Sequence, residues 1–167
     1  MTLQITILSG GQTGVDRAAL DAAIEKGLDY RGWCPRGGWA EDLPEPPGIR
    51  ARYLLLRETP LADPAQRTEW NVRDSDACLI IVDAGGIAAS RGTALAQELA
   101  ARFGRPLLVV DLGKADAAMC VRAWLDALLA SHNETPFRLA IGGPRESEAK
   151  GIYEKARVFL GEVLTGV

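Results

Sequence analysis

Residues 3–27 read LQITILSGGQTGVDRAALDAAIEKG, an apolar run followed by a glycine-rich turn and a segment with helical periodicity. Residues 3–8 are apolar or β-branched apart from one glutamine, and Ser9-Gly10-Gly11 ends the run, as is typical of a buried strand that stops at a turn. Between residues 15 and 24 the apolar positions recur with helical spacing, and Gly27 follows as a helix-ending residue. The stretch predicts a strand, a glycine loop and a helix.

The same alternation continues along the chain. We predict strands at residues 3–8, 30–34, 53–57, 77–82, 106–111 and 138–141, and helices at residues 15–24, 64–73, 93–103, 115–130 and 146–164. Strands that alternate with helices form a parallel sheet covered on both faces, because right-handed crossovers place the helices there. We expect a single α/β domain over residues 1–167, a three-layer, Rossmann-like, doubly wound fold with a mostly parallel sheet of about six strands.

The net charge, apolar runs and cysteine spacing of the sequence exclude some classes of binding partner. A formal net charge of −3 in 167 residues gives no basic surface of the kind that binds nucleic acid. No apolar run approaches the roughly 18 residues of a membrane span, and residues 1–11 lack the basic start of a signal peptide. Cys34, Cys78 and Cys120 are widely spaced without a CxxC pattern. We therefore expect a cytoplasmic protein with reduced thiols, no structural metal, and neither a nucleic-acid nor a membrane partner.

The first glycine loop, SGGQTGVDR at residues 9–17, lies where the first predicted strand passes into a helix. Free amides and the positive helix end favour an anion there, and glycines leave room for a ligand. An ordinary turn with Thr13 as the helix cap is the alternative. The loop lacks the lysine and hydroxyl of a Walker A motif, and no acidic residue follows at the spacing of an NAD site. The candidate ligand-binding residues are Gly10, Gly11, Gln12, Thr13, Gly14, Asp16 and Arg17.

Two further glycine loops also follow predicted strands. Residues 83–93 contain Gly85-Gly86 and then Gly92-Thr93, which begin another predicted helix. In residues 142–147, the planar guanidinium of Arg145 suits bidentate contact with phosphate. Ordinary helix capping by Thr93 and an exposed Arg145 are the alternatives. The candidate residues are Gly85, Gly86, Gly92, Thr93, Gly143, Pro144, Arg145, Glu146 and Ser147.

Two polar segments complete the candidate site. Arg67 and Asn71 lie four residues apart on one face of the predicted helix 64–73, which could reach a ligand or face solvent. The loop at residues 35–50 is of a length that is often functional. The stretch at residues 33–42, which includes Arg36 and Glu41, could form a lid or a plain surface excursion.

Taken together, these motifs resemble the molybdenum carrier family, which is related to lysine-decarboxylase-like phosphoribohydrolases. The resemblance covers nearly the whole chain and rests on SGGQTGVDRAALDAA from Ser9, GWCPRGGWAED from Gly32, Glu58-Thr59, RTEWNVRDSDA from Arg67, Gly92-Thr93 and GGPRES at residues 142–147. It implies a Rossmann-like subunit that forms a homo-oligomer, a dimer or a tetramer. It also implies a pocket for the molybdenum cofactor (molybdopterin) or another phosphorylated, nucleotide-like small molecule.

The resemblance leaves two classes of function. We favour a binding or carrier protein. The alternative is a nucleotide N-glycosidase that acts on a nucleoside monophosphate, as in the related phosphoribohydrolases, whose PGGxGTxxE signature supplies a catalytic glutamate. Here Gly92-Thr93 matches the GT, but Ala96 stands at the glutamate position, and Glu98 lies about 200° further round a helix. Glu41 or Asp42 could supply a carboxylate instead.

Overall fold

Seven strands and five α-helices make up the computed structural model of the protein, which describes residues 4–167. The strands are β1 (Ile5–Leu8), β2 (Asp29–Arg31), β3 (Trp33–Cys34), β4 (Arg57–Glu58), β5 (Ala77–Val82), β6 (Leu107–Asp111) and β7 (Phe137–Gly142). The helices are α1 (Val15–Glu25), α2 (Pro64–Arg73), α3 (Arg91–Arg102), α4 (Ala117–Ser131) and α5 (Ile152–Val163).

The central sheet has the order β2-β1-β7-β5-β6, and all its neighbouring strands are parallel. From β1 the chain passes through α1 to β2 at one edge, whereas from β5 it passes through α3 to β6 at the other. Strand order therefore reverses between β1 and β5, with β7 inserted between them. In doubly wound sheets, ligands bind beyond the carboxyl ends of the strands at such a reversal.

Alternating side chains divide the core between the two faces of the sheet. Ile5, Ile7 and Leu79 are buried with α1, α4 and α5 on one face. Leu8, Cys78 and Ala140 are buried with α2 and α3 on the other. Period-two burial of strand residues between helices is expected of a three-layer fold. The predicted α/β, doubly wound, Rossmann-like architecture is confirmed.

Element bounds agree closely with the prediction in most of the chain. The predicted residues of α2 and β5 are those observed, and α1, α3, α4, β6 and β7 differ by one or two residues at their ends. Leu3, the predicted first residue of β1, lies outside the described residues.

The prediction was wrong for strands 30–34 and 53–57, so the central sheet has five strands rather than six. Gly32, with φ near +142°, ends β2, and the chain then leaves the central sheet to form β3. Residues 53–56 form turns, because the amides of Tyr53 and Leu56 donate to the nearby carbonyls of Ile49 and Tyr53. The side chains of Tyr53 and Leu56 are buried against α1. Only Arg57 and Glu58 pair as a strand, in a separate two-stranded sheet with β3.

The last helix begins later than predicted, at Ile152 rather than at residue 146. The Glu146 carboxylate accepts the amides of Gly151 and Tyr153, and Gly151 adopts a left-handed conformation (φ 83°) immediately before the helix. Glu146 therefore satisfies free donors at the start of α5 instead of lying within it. In residues 4–167, none of the helices combines the length and apolar character needed to cross a membrane.

Candidate functional site

A cleft of about 670 Å³ lies at the carboxyl ends of β1 and β7, beside Cys78–Ile80 of β5, between α2 and α3. The sequence-predicted residues that line it are Gly10, Gln12, Asp16, Arg67, Asn71, Gly92, Thr93, Gly143 and Arg145. Buried apolar side chains, among them Leu8 and Cys78, form part of its wall. All three glycine loops and α2 contribute to the same cleft, although these segments are far apart in sequence.

The other predicted residues take no part in lining the cleft within the described chain. They are Gly11, Thr13, Gly14, Arg17, Arg36, Glu41, Gly85, Gly86, Pro144, Glu146 and Ser147. Gly85 and Gly86 belong to a turn next to the cleft, in which the amide of Gly85 donates to Asp83. Arg36 is exposed.

Most of these residues hold the long loop against the first and third glycine loops. The guanidinium of Arg17 donates to both carboxylate oxygens of Asp42 at 2.8 Å and to the carbonyl oxygen of Gly11. Glu41 accepts hydrogen bonds from the hydroxyls of Thr13 and Ser147. Ion pairs and hydrogen bonds therefore hold the loop at residues 35–50 against the first and third glycine loops.

Gln12 joins this loop to the cleft. Its side-chain Oε1 accepts the amides of Thr13 at 3.0 Å and Glu41 at 2.9 Å, while the residue itself lines the cleft. Burial alone would raise the pKa of Glu41, but hydrogen bonds from Ser147 and Thr13 hold it below its ordinary value. Glu41 is consequently a charged acceptor that orders the first loop.

The first and third glycine loops touch each other directly. The amide of Val15 donates to the carbonyl of Pro144 at 3.2 Å. Gly14, at φ +76°, has this carbonyl so close that any Cβ would collide with it. Gly14 and Pro144 thus set the contact between the two loops. Helix α1 starts after Gly14, without a side-chain cap from Thr13.

The beginning of α3 brings free hydrogen-bond donors to the cleft. Ser90 caps the helix, and its hydroxyl accepts the amide of Thr93 at 3.2 Å. The first amides of a helix have no acceptor within it, which leaves Arg91 and Gly92 with available N–H groups. The hydroxyl oxygen of Thr93 is buried and has no hydrogen-bond partner among residues 4–167. The free amides of Arg91 and Gly92 at this helix end suit a negatively charged group.

Ser90 was missed by the sequence prediction. A serine three residues before Thr93 is a recognisable helix-capping signal. Because Thr93 itself was predicted as the first helical residue, Ser90 was placed in the loop, whereas the helix begins at Arg91.

Two arginines, Arg145 and Arg67, add positive charge to the lining of the cleft. The Arg145 Nε lies 3.3 Å from Glu148, and its guanidinium lies over the Trp39 ring at 5.5 Å. Arg67 lies across the backbone of Gly10, where a Cβ would collide with its guanidinium. Gly10 is therefore required for the position of Arg67.

Arg67 forms an ion pair with Asp16, at 2.9 Å between Nη1 and Oδ2. The side chain of Asp16 is only 6% exposed and that of Arg67 is 13% exposed. Burial raises the pKa of Asp16 above its ordinary value, while Arg67, the amide of Gln12 and Arg17 oppose the shift. The pair joins the first turn of α1 to α2 and borders the cleft.

Asn71 has a structural role beside this pair. Its side-chain amide donates to the carbonyl of Trp33 at 2.9 Å and accepts the amide of Trp33 at 2.8 Å. The Trp33 and Trp70 rings meet edge to face. Asn71 therefore fixes α2 against β3 and shapes the cleft wall.

Comparison with known proteins identifies the family. Residues 7–164 match the model described as "Circularly permutated YpsA SLOG family". The chain belongs to the circularly permutated YpsA SLOG family.

A solved structure supports the same assignment. It is named "Putative molybdenum carrier protein", comes from Syntrophus aciditrophicus SB, and is 37% identical to this SLOG chain. Its TM-score is 0.82, and the match covers 95% of this chain and 94% of that chain. The resemblance to molybdenum carrier proteins is confirmed. No curated protein matches the chain.

In this SLOG family member, the position of the phosphoribohydrolase glutamate lies in the cleft but carries no acid. Ala96 is part of the lining, and Glu98 is an exposed residue nearby in the same lining. Glu41 and Asp42, the two loop carboxylates considered as substitutes, bond to Thr13, Ser147 and Arg17 instead. The buried carboxyl group that lines the cleft is that of Asp16. Within residues 4–167, no group of three or more His, Cys, Asp or Glu side chains has the arrangement of a metal site.

Proposed function

We propose that this SLOG protein is a binding or carrier protein that holds a phosphorylated, nucleotide-like or pterin-type small molecule in the cleft. The observation that carries the proposal is the unpartnered, buried hydroxyl of Thr93 at the beginning of α3. A buried polar group without a partner costs stability, so it is expected where a ligand completes the hydrogen bonding.

The phosphate is assigned to the beginning of α3. The amides of Arg91 and Gly92 and the hydroxyl of Thr93 supply neutral donors there. Arg145, which lines the same cleft, supplies a charged donor on a planar guanidinium. The rest of the ligand extends along the cleft past Arg67 and the apolar side chains of Leu8 and Cys78.

The molybdenum cofactor is the specific ligand that we propose, because the solved relative is named as a molybdenum carrier. The residues present fit its phosphate, since Thr93 has an unsatisfied hydroxyl and Arg145 a guanidinium. The cleft volume of about 670 Å³ also falls within the range of small-molecule sites, roughly 300–1,000 Å³. A nucleotide would satisfy the same donors.

We also propose that the protein forms a homo-oligomer, a dimer or a tetramer. A second cavity, of about 410 Å³, lies on the α2 side of the sheet over β1 and β2. Leu55, which is exposed, and Arg31, Arg57 and Arg138 border it. Another copy of the chain could cover this part of the sheet.

The variant Thr93→Val tests the phosphate assignment. It removes the unpartnered hydroxyl while keeping the shape of the side chain. We expect the free energy of unfolding of the unliganded protein to stay the same or rise, because no hydrogen bond is lost. Affinity for the bound ligand should fall about tenfold, the effect of one hydrogen bond to a charged group. Urea unfolding and calorimetry with AMP, GMP, cyclic di-AMP and molybdopterin measure the two effects.

Thr165→Val is the control, because the Thr165 hydroxyl already donates to the carbonyl of Gly161, outside the cleft. It should leave ligand affinity unchanged. The proposal is wrong if none of the four ligands binds the wild-type protein, or if Thr93→Val binds them as tightly as wild type. Mass spectrometry of the small molecule that co-purifies with the protein identifies the natural ligand directly.

A further inference from the structure

The Asp16–Arg67 ion pair places a buried carboxylate in the cleft lining, and an anion-binding site does not need one. The donors at the beginning of α3 and on Arg145 suit the oxygens of a phosphate. Asp16, in the same cleft, is a carboxylate that repels such oxygens and accepts hydrogen bonds. A site built for a bare anion would gain nothing from this buried acid.

Arg67 favours the ionised, acceptor form of Asp16. Its guanidinium donates from Nη1 to Oδ2 of Asp16 at 2.9 Å. A carboxylate has about four lone-pair positions, so Arg67 and the amide of Gln12 leave acceptor capacity on Asp16. Water or a ligand group in the cleft can supply a further donor.

Two glycines on neighbouring strands keep the space around the pair open. Gly10 follows β1, and its lack of a side chain lets Arg67 lie across the backbone. Gly142 ends β7, and a Cβ there would lie 3.3 Å from Oδ1 of Asp16. The side of the carboxylate that faces Gly142 is thus free of side-chain carbon.

We infer that Asp16, oriented by Arg67, is the specificity-determining acceptor of the cleft and requires a ligand that carries hydrogen-bond donors. The inference rests on the proposed function and deepens it. It assigns to the cleft an organic phosphate ester whose hydroxyl or ring N–H groups donate to Asp16. It excludes fully deprotonated tetrahedral oxyanions, such as sulfate and molybdate, as the preferred ligand, because their oxygens offer this carboxylate no donor at neutral pH.

The discrimination is tested with GMP, sulfate and molybdate as probes. The base of GMP carries ring N–H and amino donors, whereas sulfate and molybdate carry none at neutral pH. We expect wild-type protein to bind GMP at least tenfold more tightly than sulfate or molybdate in calorimetry. In Asp16→Asn, GMP affinity should fall about tenfold or more, while the affinities for sulfate and molybdate should stay the same or increase.

A second variant leaves the ion pair intact. Gly142→Ala places a methyl group 3.3 Å from Oδ1 of Asp16, so it obstructs the carboxylate without removing it. It should weaken GMP binding and leave sulfate binding unchanged. This variant keeps the inference testable if Asp16→Asn lowers the melting temperature so far that it cannot be titrated.

Asp42→Asn is the matched control. Asp42 is also paired with an arginine, Arg17 on α1, but it lies outside the cleft lining. Its replacement should leave GMP affinity unchanged. The inference is overturned if wild type prefers molybdate or sulfate to GMP, or if Asp16→Asn and Gly142→Ala both bind GMP as wild type does. It is also overturned if Asp16→Asn weakens all three probes by the same factor, since that result indicates only a tether between α1 and α2. Failure of the proposed function is a different result, in which no phosphate ester binds wild type.

Discussion

Arg145 and Arg157 are similar in exposure and in pairing with a glutamate, but only Arg145 lines the cleft. Their side chains are 32% and 31% exposed, and each pairs with a glutamate three residues away. We expect Arg145→Ala to weaken AMP or molybdopterin binding about tenfold, because a charged hydrogen bond to phosphate is lost. Calorimetry on both variants measures the difference. Equal affinities in Arg145→Ala and Arg157→Ala would remove Arg145 from the site.

The ion pair between Asp42 and Arg17 makes the free energy of unfolding depend on pH in the acid range. Hydrogen bonds from Arg17 hold the pKa of Asp42 below its ordinary value of 3.8. A lowered pKa in the folded state means that this pair stabilises the fold above pH 3.8 and ceases to do so as the pH falls through the folded-state value. Asp42→Asn should therefore reduce the free energy of unfolding at pH 7, and the difference from wild type should shrink below pH 3.8.

Urea unfolding of wild type and Asp42→Asn across this pH range measures that difference. A gap that remains constant down to the acid limit would show that the Asp42 carboxylate contributes nothing through its charge.

At the same residue scale, sequence patterns predicted part of the cleft lining. Glycines, arginines and a helix-starting threonine after strands indicate anion binding, and Gly10, Thr93 and Arg145 all line the cleft. Glu41 and Arg17, which were also predicted to bind the ligand, lie outside the lining and bond to Ser147 and Asp42. Local patterns cannot distinguish these roles, since the partners come from an irregular loop without periodicity.

Helix α3 is the element on which the proposed phosphate site depends. Ser90→Ala removes its N-cap and should lower the free energy of unfolding by about 1 kcal/mol. Ser90→Asp retains a capping oxygen, and its negative charge interacts favourably with the positive end of the helix dipole. The fold should therefore keep most of its stability. The added negative charge should nevertheless weaken phosphate-ester binding, because it occupies the position of an anion.

Urea unfolding and calorimetry on the two Ser90 variants separate these effects. If Ser90→Asp binds AMP and molybdopterin as tightly as wild type, the phosphate does not lie at the beginning of α3.

The bounds of elements with strong hydrophobic periodicity were predicted well. The bounds of elements that depend on one close contact between distant residues were not. Helix α2 and strand β5 have continuous patterns, and their predicted bounds are those observed. The segment at residues 30–34 looked like one strand, but Gly32 separates it into β2 and β3 in two different sheets. A Cβ on Gly32 would collide with the carbonyl of Ser9. Such a close approach between distant residues leaves no periodic signal in the sequence.

At the scale of the whole molecule, alternation of strands and helices was sufficient to predict a three-layer fold. The strand order was not predictable in the same way, since it depends on which crossovers pack together. In the observed order, β7 lies between β1 and β5, so residues from the end of the chain complete a sheet begun near its start. The cleft exists only when these three strands are adjacent.

The central position of β7 constrains the protein during its synthesis. Until Phe137–Gly142 has left the ribosome, β1 and β5 each have an unpaired edge facing the gap that β7 fills. Exposed strand edges are prone to associate with other chains. Arg145 and Pro144, which contacts Val15, also lie after β7 in the sequence. The cleft is therefore incomplete until residues 137–145 have been translated, and a chain that stops before β7 should leave two strand edges open to association with other chains.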